Sequence, residues 1–183
     1  MMELYHGRPE SNEGRLEKEI KVYDFLDEIE VPFVRVDHEA VMTIEACRGI
    51  DETLGITINK NLFLCNRQKT AFYLLLLPGG KALKTKELSA QIPTSRLSFG
   101  SGEDMERLLN VTPGSATAMG LLFDPEHKVQ LLIDEEILKD EYLGCHPCIN
   151  TSSIRFTTKD FMEKIVPALG HDYILVNLTD GNQ

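Results

Sequence analysis

Two apolar runs lying close together restrict this chain more than any other feature. Leu62 to Cys65 and Ala71 to Leu77 are joined by Asn66-Arg67-Gln68-Lys69. Short apolar runs separated by polar turn residues read as paired strands, so a β-hairpin is expected at the centre of the fold. Ala71 to Leu77 is also the longest apolar run, far short of the ~20 residues that a membrane-spanning helix needs. The first residues, Met1 to Gly14, contain no apolar core of a signal peptide. A soluble, cytoplasmic protein with no membrane partner is therefore expected.

The rest of the chain arranges itself around that hairpin. Leu16, Ile20, Tyr23, Leu26 and Ile29 recur at helical spacing, which predicts a helix from Arg15 to Glu30, stopped by Pro32. Phe33 to Asp37 alternates as a strand. Thr43 is expected to cap a short helix through Arg48, closed by Gly49. Thr85 to Leu88 opens a short helix and Arg96 to Phe99 forms a strand. Ser101 with Asp104 resembles a capping box for a helix to Leu109. Met119 to Phe123 and Val129 to Ile133 read as strands around the turn Asp124-Pro125-Glu126-His127. Glu135 to Leu138 reads as helical, Ile154 to Phe156 as a strand, and Thr158 as the cap of a helix through Leu169. Tyr173 to Val176 is the last strand. Strands in runs with helices clustered between them give an α+β class with a mostly antiparallel sheet. The expected layout is a flexible extension over residues 1–14, one domain over 15–177 and a tail over 178–183.

Charge narrows the partners. Nineteen Lys and Arg stand against 29 Asp and Glu, a formal charge of −10 over 183 residues. Duplex nucleic acid and anionic membranes repel such a chain unless a local basic patch intervenes. Arg67, Lys69, Lys81, Lys84 and Lys86 form the one dense basic cluster, and a solvated hairpin and helix face explains it equally well. Cys145 and Cys148 form the one CxxC pair; Cys47 and Cys65 do not supply the second pair that a zinc site wants. No metal and no cofactor are expected. A redox dithiol normally opens a helix after an early strand, whereas this pair lies late, so two reduced thiols beside another site is the preferred reading. The chain carries no GxGxxG, Walker loop, GxSxG or HExxH.

Three segments remain as candidates for chemistry. Lys60-Asn61 places a cation and an amide where a strand begins, although an exposed strand-end lysine is common. Thr112-Pro113-Gly114-Ser115 is a loop whose free N–H groups suit an anion or oxyanion, or simply a turn. His146-Pro147 is followed by Asn150 and Thr151, which add hydrogen-bonding groups, although a lone histidine is more often structural. His38 with Glu39 is either a polar pair or a strand exit.

Taken together and in this order, KNLFL at Lys60–Leu64, SRLSF at Ser95–Phe99, LLNVTPGSATAMGL at Leu108–Leu121 and HPCINT at His146–Thr151 resemble the free-standing prolyl-tRNA editing family of YbaK type. The resemblance extends from about Lys21 to Leu169. It implies a single α+β domain with a barrel-like, mostly antiparallel sheet flanked by helices. KNLFL followed by TPGS and HPxxNT is similar to the branch that hydrolyses alanyl-tRNA(Pro); the cysteinyl-tRNA(Pro) branch and a non-catalytic sensor of aminoacyl-tRNA are the alternatives. The implied partners are the aminoacylated 3′ end of tRNA(Pro) and, further, prolyl-tRNA synthetase. Lys60, Asn61 and His146 are then the expected catalytic residues. Thr43, Phe63, Thr112, Gly114, Ser115, Asn150 and Thr151 would line the substrate site, and Arg67, Lys69, Lys81, Lys84 and Lys86 would meet the tRNA. An amine protonated at neutral pH is a poor base, so Lys60 is cast as a charge contact.

Overall fold

The computed structural model describes residues 2–40 and 44–182. Its centre is the expected hairpin, β3 (Lys60–Cys65) and β4 (Phe72–Leu77), paired antiparallel from Lys60↔Leu77 to Cys65↔Phe72. Asn66 builds the turn. Its Oδ1 accepts from the backbone N–H of Thr70 and Ala71 at 2.9 and 3.1 Å. Lys69 takes a positive φ of 56° to close it. The apolar run of β4 lacks alternation because the strand is buried on both faces. Leu74 and Leu76 enter the main core, while Leu75 and Leu77 enter a second core under α3 (Thr85–Gln91).

The hairpin anchors a five-stranded sheet of order β5-β3-β4-β6-β9, with β5 at Ser98–Phe99, β6 at Val129–Asp134 and β9 at Tyr173–Val176. β4–β6 and β6–β9 are parallel, and the other pairings are antiparallel. A second, antiparallel sheet of order β1-β2-β8-β7 comprises Leu4–His6, Val34–Asp37, Ser152–Thr157 and Tyr142–Cys145. The α+β class and mostly antiparallel pairing hold, but the structure has two open sheets in place of a barrel. Between them lies the main core, where Tyr23 from α1 (Glu17–Glu28) stacks on Phe33 and Phe156 stacks on Phe161.

Several local expectations yield to packing. Met119 to Phe123 is part of a 3₁₀ helix, Ala118–Phe123, rather than a strand. Thr117 caps it by accepting from the Met119 N–H, and Ala118 to Leu121 are all buried. A short apolar run has no periodicity with which to tell the two apart. Gly49 does not end its helix; α2 runs over Ile44–Leu54 because Ile50 and Leu54 bury against Val36. That burial outweighs the roughly 1 kcal/mol that an internal glycine costs. The N-terminal residues also make regular contacts. Leu4–His6 adds an edge strand to β2, and Arg8 pairs with Asp24 at 2.6 Å. The capping box holds as expected: Ser101 Oγ accepts from the Asp104 N–H at the head of α4 (Gly102–Leu109).

Candidate functional site

The start of β3 and the end of β7 meet across the gap between the two sheets, and a cavity of about 230 Å³ opens there. Lys60, Asn61 and Leu62 line it from β3, Ile58 and Asn59 from the segment just before that strand, Gly114 and Ala116 from the loop, Cys145 from the end of β7 and His146 from the residue after it. Gly144 permits this approach: a Cβ there would lie 2.3 Å from Ile56 Cδ1 and 3.3 Å from Ile58 Cγ1. Lys60 with Asn61, Gly114 and His146, from three distant segments, therefore line one space.

Each polar group has a fixed role in hydrogen bonding. Lys60 Nζ donates to the Lys81 carbonyl at 2.7 Å. An ammonium has three N–H donors, so two remain for a ligand among the described residues. Asn61 Oδ1 accepts from the Ala118 N–H at 2.9 Å, and Nδ2 donates to the Asn59 carbonyl at 3.3 Å. One lone pair of its oxygen is taken by Ala118 and one amide N–H is unspent among the described residues, so Asn61 has a donor to offer the cavity. His146 Nδ1 lies 2.9 Å from the Ser152 carbonyl, which can only accept, so Nδ1 carries the proton. Nε2 is then an open acceptor. Burial pushes the His146 pKa below the ordinary imidazole range, His38 pushes it the same way, and the Ser152 carbonyl works against both.

Beneath His146 lies a polar network that the sequence did not reveal. Asp37 Oδ1 accepts from Ser152 Oγ at 2.6 Å, and the Asp37 carboxylate also meets Arg15 (2.8 Å) and Arg35. Arg15 continues to the buried Glu19, which accepts from Tyr23 OH at 2.6 Å. Burial alone would raise the Asp37 pKa, but Arg15, Arg35 and Ser152 together hold it far below the usual carboxylate range. The network clamps β2 to β8 at the residue whose carbonyl orients His146. Its members are spread over three stretches of the chain and carry no local motif.

The remaining expected residues divide. Phe63 does not line the cavity; it is 2 % exposed, stacked on Phe72 in the main core. Ser115 is buried, and its Oγ is spent on the loop itself, donating to the Thr112 carbonyl and accepting from the Thr112 N–H. Thr112, Asn150 and Thr151 stand outside the cavity lining, although Asn150 Nδ2 lies beside Gly114. Thr43 falls outside the described residues.

The basic cluster also breaks up. Lys81 is 8 % exposed and bound to Asp134 (2.8 Å), Glu136 (2.5 Å) and the Leu178 carbonyl. It is an internal ion-pair lysine, not part of a tRNA-facing rim. Lys84 and Lys86 are exposed at the start of α3, just beyond the carbonyl that holds Lys60. Arg67 and Lys69 are exposed at the other end of β3, about 17 Å away along a six-residue strand.

The thiols are not redox-ready. Cys145 and Cys148 are both buried and unbonded. Burial raises the pKa of Cys145 to about 12 and pushes that of Cys148 higher still, so neither is a thiolate at neutral pH. Cys145 instead forms part of the cavity wall. Among the described residues, no group of His, Cys, Asp and Glu side chains could hold a metal ion, and no helix is long and apolar enough to cross a membrane.

Residues 38–164 match the family model of the aminoacyl-tRNA editing domain. The prolyl-tRNA editing protein ProX of Acetoanaerobium sticklandii is 29% identical over 153 residues, covering 84% of this chain and 93% of its own. The prolyl-tRNA synthetase associated domain-containing protein 1 of Xenopus laevis is 27% identical over 168 residues, covering 90% of this chain and 98% of its own. Among solved structures, one described as a candidate trans-editing enzyme for prolyl-tRNA synthetase superposes with a TM-score of 0.68 at 15% identity, covering 91% of this chain and 99% of that one.

Proposed function

The chain belongs to the aminoacyl-tRNA editing domain family, and from that premise we propose that it hydrolyses alanyl-tRNA(Pro) in trans, in the cytoplasm. The observation that carries the reading is the donor–acceptor inventory of the cavity: two donors, Lys60 and Asn61, face one acceptor, His146 Nε2, between apolar walls. An aminoacyl ester presents the complementary set. Its carbonyl oxygen accepts, and its α-ammonium and the terminal 2′-hydroxyl donate.

In this mechanism the Asn61 N–H meets the ester carbonyl and follows it as it gains negative charge on attack by water. Lys60, anchored by one N–H, turns its charge toward that oxygen or the terminal phosphate. His146 Nε2 accepts from the α-ammonium, the 2′-hydroxyl or the attacking water, and burial keeps it neutral for that purpose. Held water, polarised carbonyl and anchored ribose suffice, because the leaving group is a ribose hydroxyl on an activated ester. Lys84 and Lys86 supply the nearest phosphate contacts, with Arg67 and Lys69 farther along the strand.

Selection for alanine follows from size. A synthetase pocket built for proline cannot exclude a smaller side chain strongly, since a missing methylene is worth only ~1–3 kcal/mol. A second, smaller pocket can admit alanine and exclude the proline ring by collision. Ile58, Leu62, Ala116 and Cys145 are the walls available for that exclusion. The test is a deacylation panel of alanyl-, cysteinyl-, seryl- and prolyl-tRNA(Pro) with the purified protein. Preferred hydrolysis of the alanyl ester with prolyl-tRNA(Pro) spared is expected. Preference for the cysteinyl ester would move the protein to the other branch, and binding without turnover would make it a sensor.

A further inference from the structure

His38 stands outside the cavity lining, yet it meets His146 through a shared hydroxyl. His38 Nε2 lies 2.9 Å from Ser153 Oγ, and Ser153 Oγ lies 3.3 Å from His146 Nδ1. The two rings are 6.2 Å apart. His38 Nδ1 faces the Glu39 carbonyl at 2.8 Å, which can only accept, so Nδ1 is protonated and Nε2 is a lone pair. Ser153 is fully buried, so its proton cannot turn to water. Among the described residues it has two nitrogens to choose between, His38 Nε2 and His146 Nδ1.

We propose that His38 is a positioning residue: by drawing the Ser153 hydroxyl proton to its Nε2, it keeps His146 in the tautomer that leaves Nε2 open to the substrate. The proposal rests on the editing reading for its effect on rate. Without His38, Ser153 is free to donate to His146 Nδ1. That bond stabilises the opposite tautomer, in which Nε2 carries the proton and presents the substrate with a donor. The Ser152 carbonyl opposes the change, because it would then face a lone pair, so the outcome is a mixture rather than a full switch. Ser153 is harmful only when His38 is absent. This gives the arrangement an unusual signature: removing the hydroxyl as well should undo the damage.

The experiment uses the full chain with His38→Ala, Ser153→Ala, the double variant and His38→Gln, which keeps an acceptor near the position of Nε2. Single-turnover deacylation of alanyl-tRNA(Pro) is measured for each, with thermal unfolding as the fold control. Long-range ¹H–¹⁵N correlation spectra of the imidazoles report which nitrogen of His146 is protonated. His38→Ala is expected to lose about tenfold in rate, Ser153→Ala and His38→Gln less than about threefold, and the double variant to return to the Ser153→Ala rate. The spectra should show His146 Nδ1–H in the wild type and a mixture in His38→Ala alone. Additive losses in the double variant, an unaffected His38→Ala, or a wild-type His146 protonated at Nε2 would each overturn the proposal. If His38→Ala fails to fold, a wild-type His146 protonated at Nε2 still overturns the proposal, and so does a His38→Gln protein in which His146 loses Nδ1–H. If the wild type deacylates none of the panel, the editing reading fails while the tautomer assignment is still judged by the spectra.

Discussion

Replacing Asn61 separates two jobs that the side chain performs at once. Its Oδ1 satisfies the N–H of Ala118, a residue only 2 % exposed, at 2.9 Å. One of its amide N–H groups is unspent, and Asn61 lines the cavity. Asn61→Ala removes both. Leaving the Ala118 N–H buried without a partner costs ~1–3 kcal/mol. In a domain of this size each kcal/mol is worth about 2–4 °C in Tm, so the midpoint should fall by about 2–12 °C. Losing a donor aimed at developing negative charge costs roughly 10²–10³ in rate. Asn61→Asp keeps an acceptor for Ala118 but puts a carboxylate where the ester oxygen gains charge. Its rate should fall at least as far, with a smaller loss of Tm than in the alanine variant. Single-turnover deacylation of alanyl-tRNA(Pro) well below both midpoints, beside calorimetric unfolding, gives both numbers. An Asn61→Ala protein that loses Tm yet deacylates within about threefold of the wild type would show that Asn61 is a strut for the 3₁₀ helix, and the donor would have to be sought elsewhere.

Other consequences follow from the same geometry. Lys60→Ala should slow deacylation by about 10²–10³ with little change in Tm, because its described hydrogen bond is a single one, to the Lys81 carbonyl; full activity would remove it from the mechanism. Lys81→Met should do the reverse, destabilising by ~3–5 kcal/mol by stranding the buried Asp134, while tRNA affinity at a temperature where the variant is folded stays at the wild-type level. The His146 pKa is lowered, so its neutral form persists as pH falls past the ordinary ~6.5; the acid limb of the deacylation profile should lie below that value, and a limb above it would contradict the assignment. Brief alkylation at neutral pH should label the exposed Cys47 and spare Cys145 and Cys148, as read by peptide mass spectrometry. Asp37 is held below its unfolded value, so its stabilising contribution is complete above about pH 4 and drains away as pH falls through the folded value. Asp37→Asn should flatten that acid-side loss in a pH series of unfolding midpoints.

The sequence alone determined the hairpin at Leu62–Leu77, the Ser101 cap, the α+β class, and the three segments that supply Lys60, Asn61, Gly114 and His146 to one cavity. These are local properties: turn chemistry, capping spacing and apolar runs act over a few residues, and the motifs carry their residue types with them. Only the tertiary structure decided which way each side chain faces. A strand buried on both faces has no alternation to read, so nothing local assigned Phe63 to the core while Lys60, Asn61 and Leu62 line the cavity. Lys81 resembles its exposed neighbours Lys84 and Lys86 in sequence, and becomes an internal cation only because Asp134, 53 residues later, is packed against it. The tautomer of His146 is likewise a long-range product. It depends on a carbonyl of β8, beside a side chain that Asp37 holds from β2, with Arg35 and Arg15 paired to that carboxylate. Hydrogen-bond partners are set by proximity in space, and proximity between distant segments exists only once the two sheets have closed on their common core.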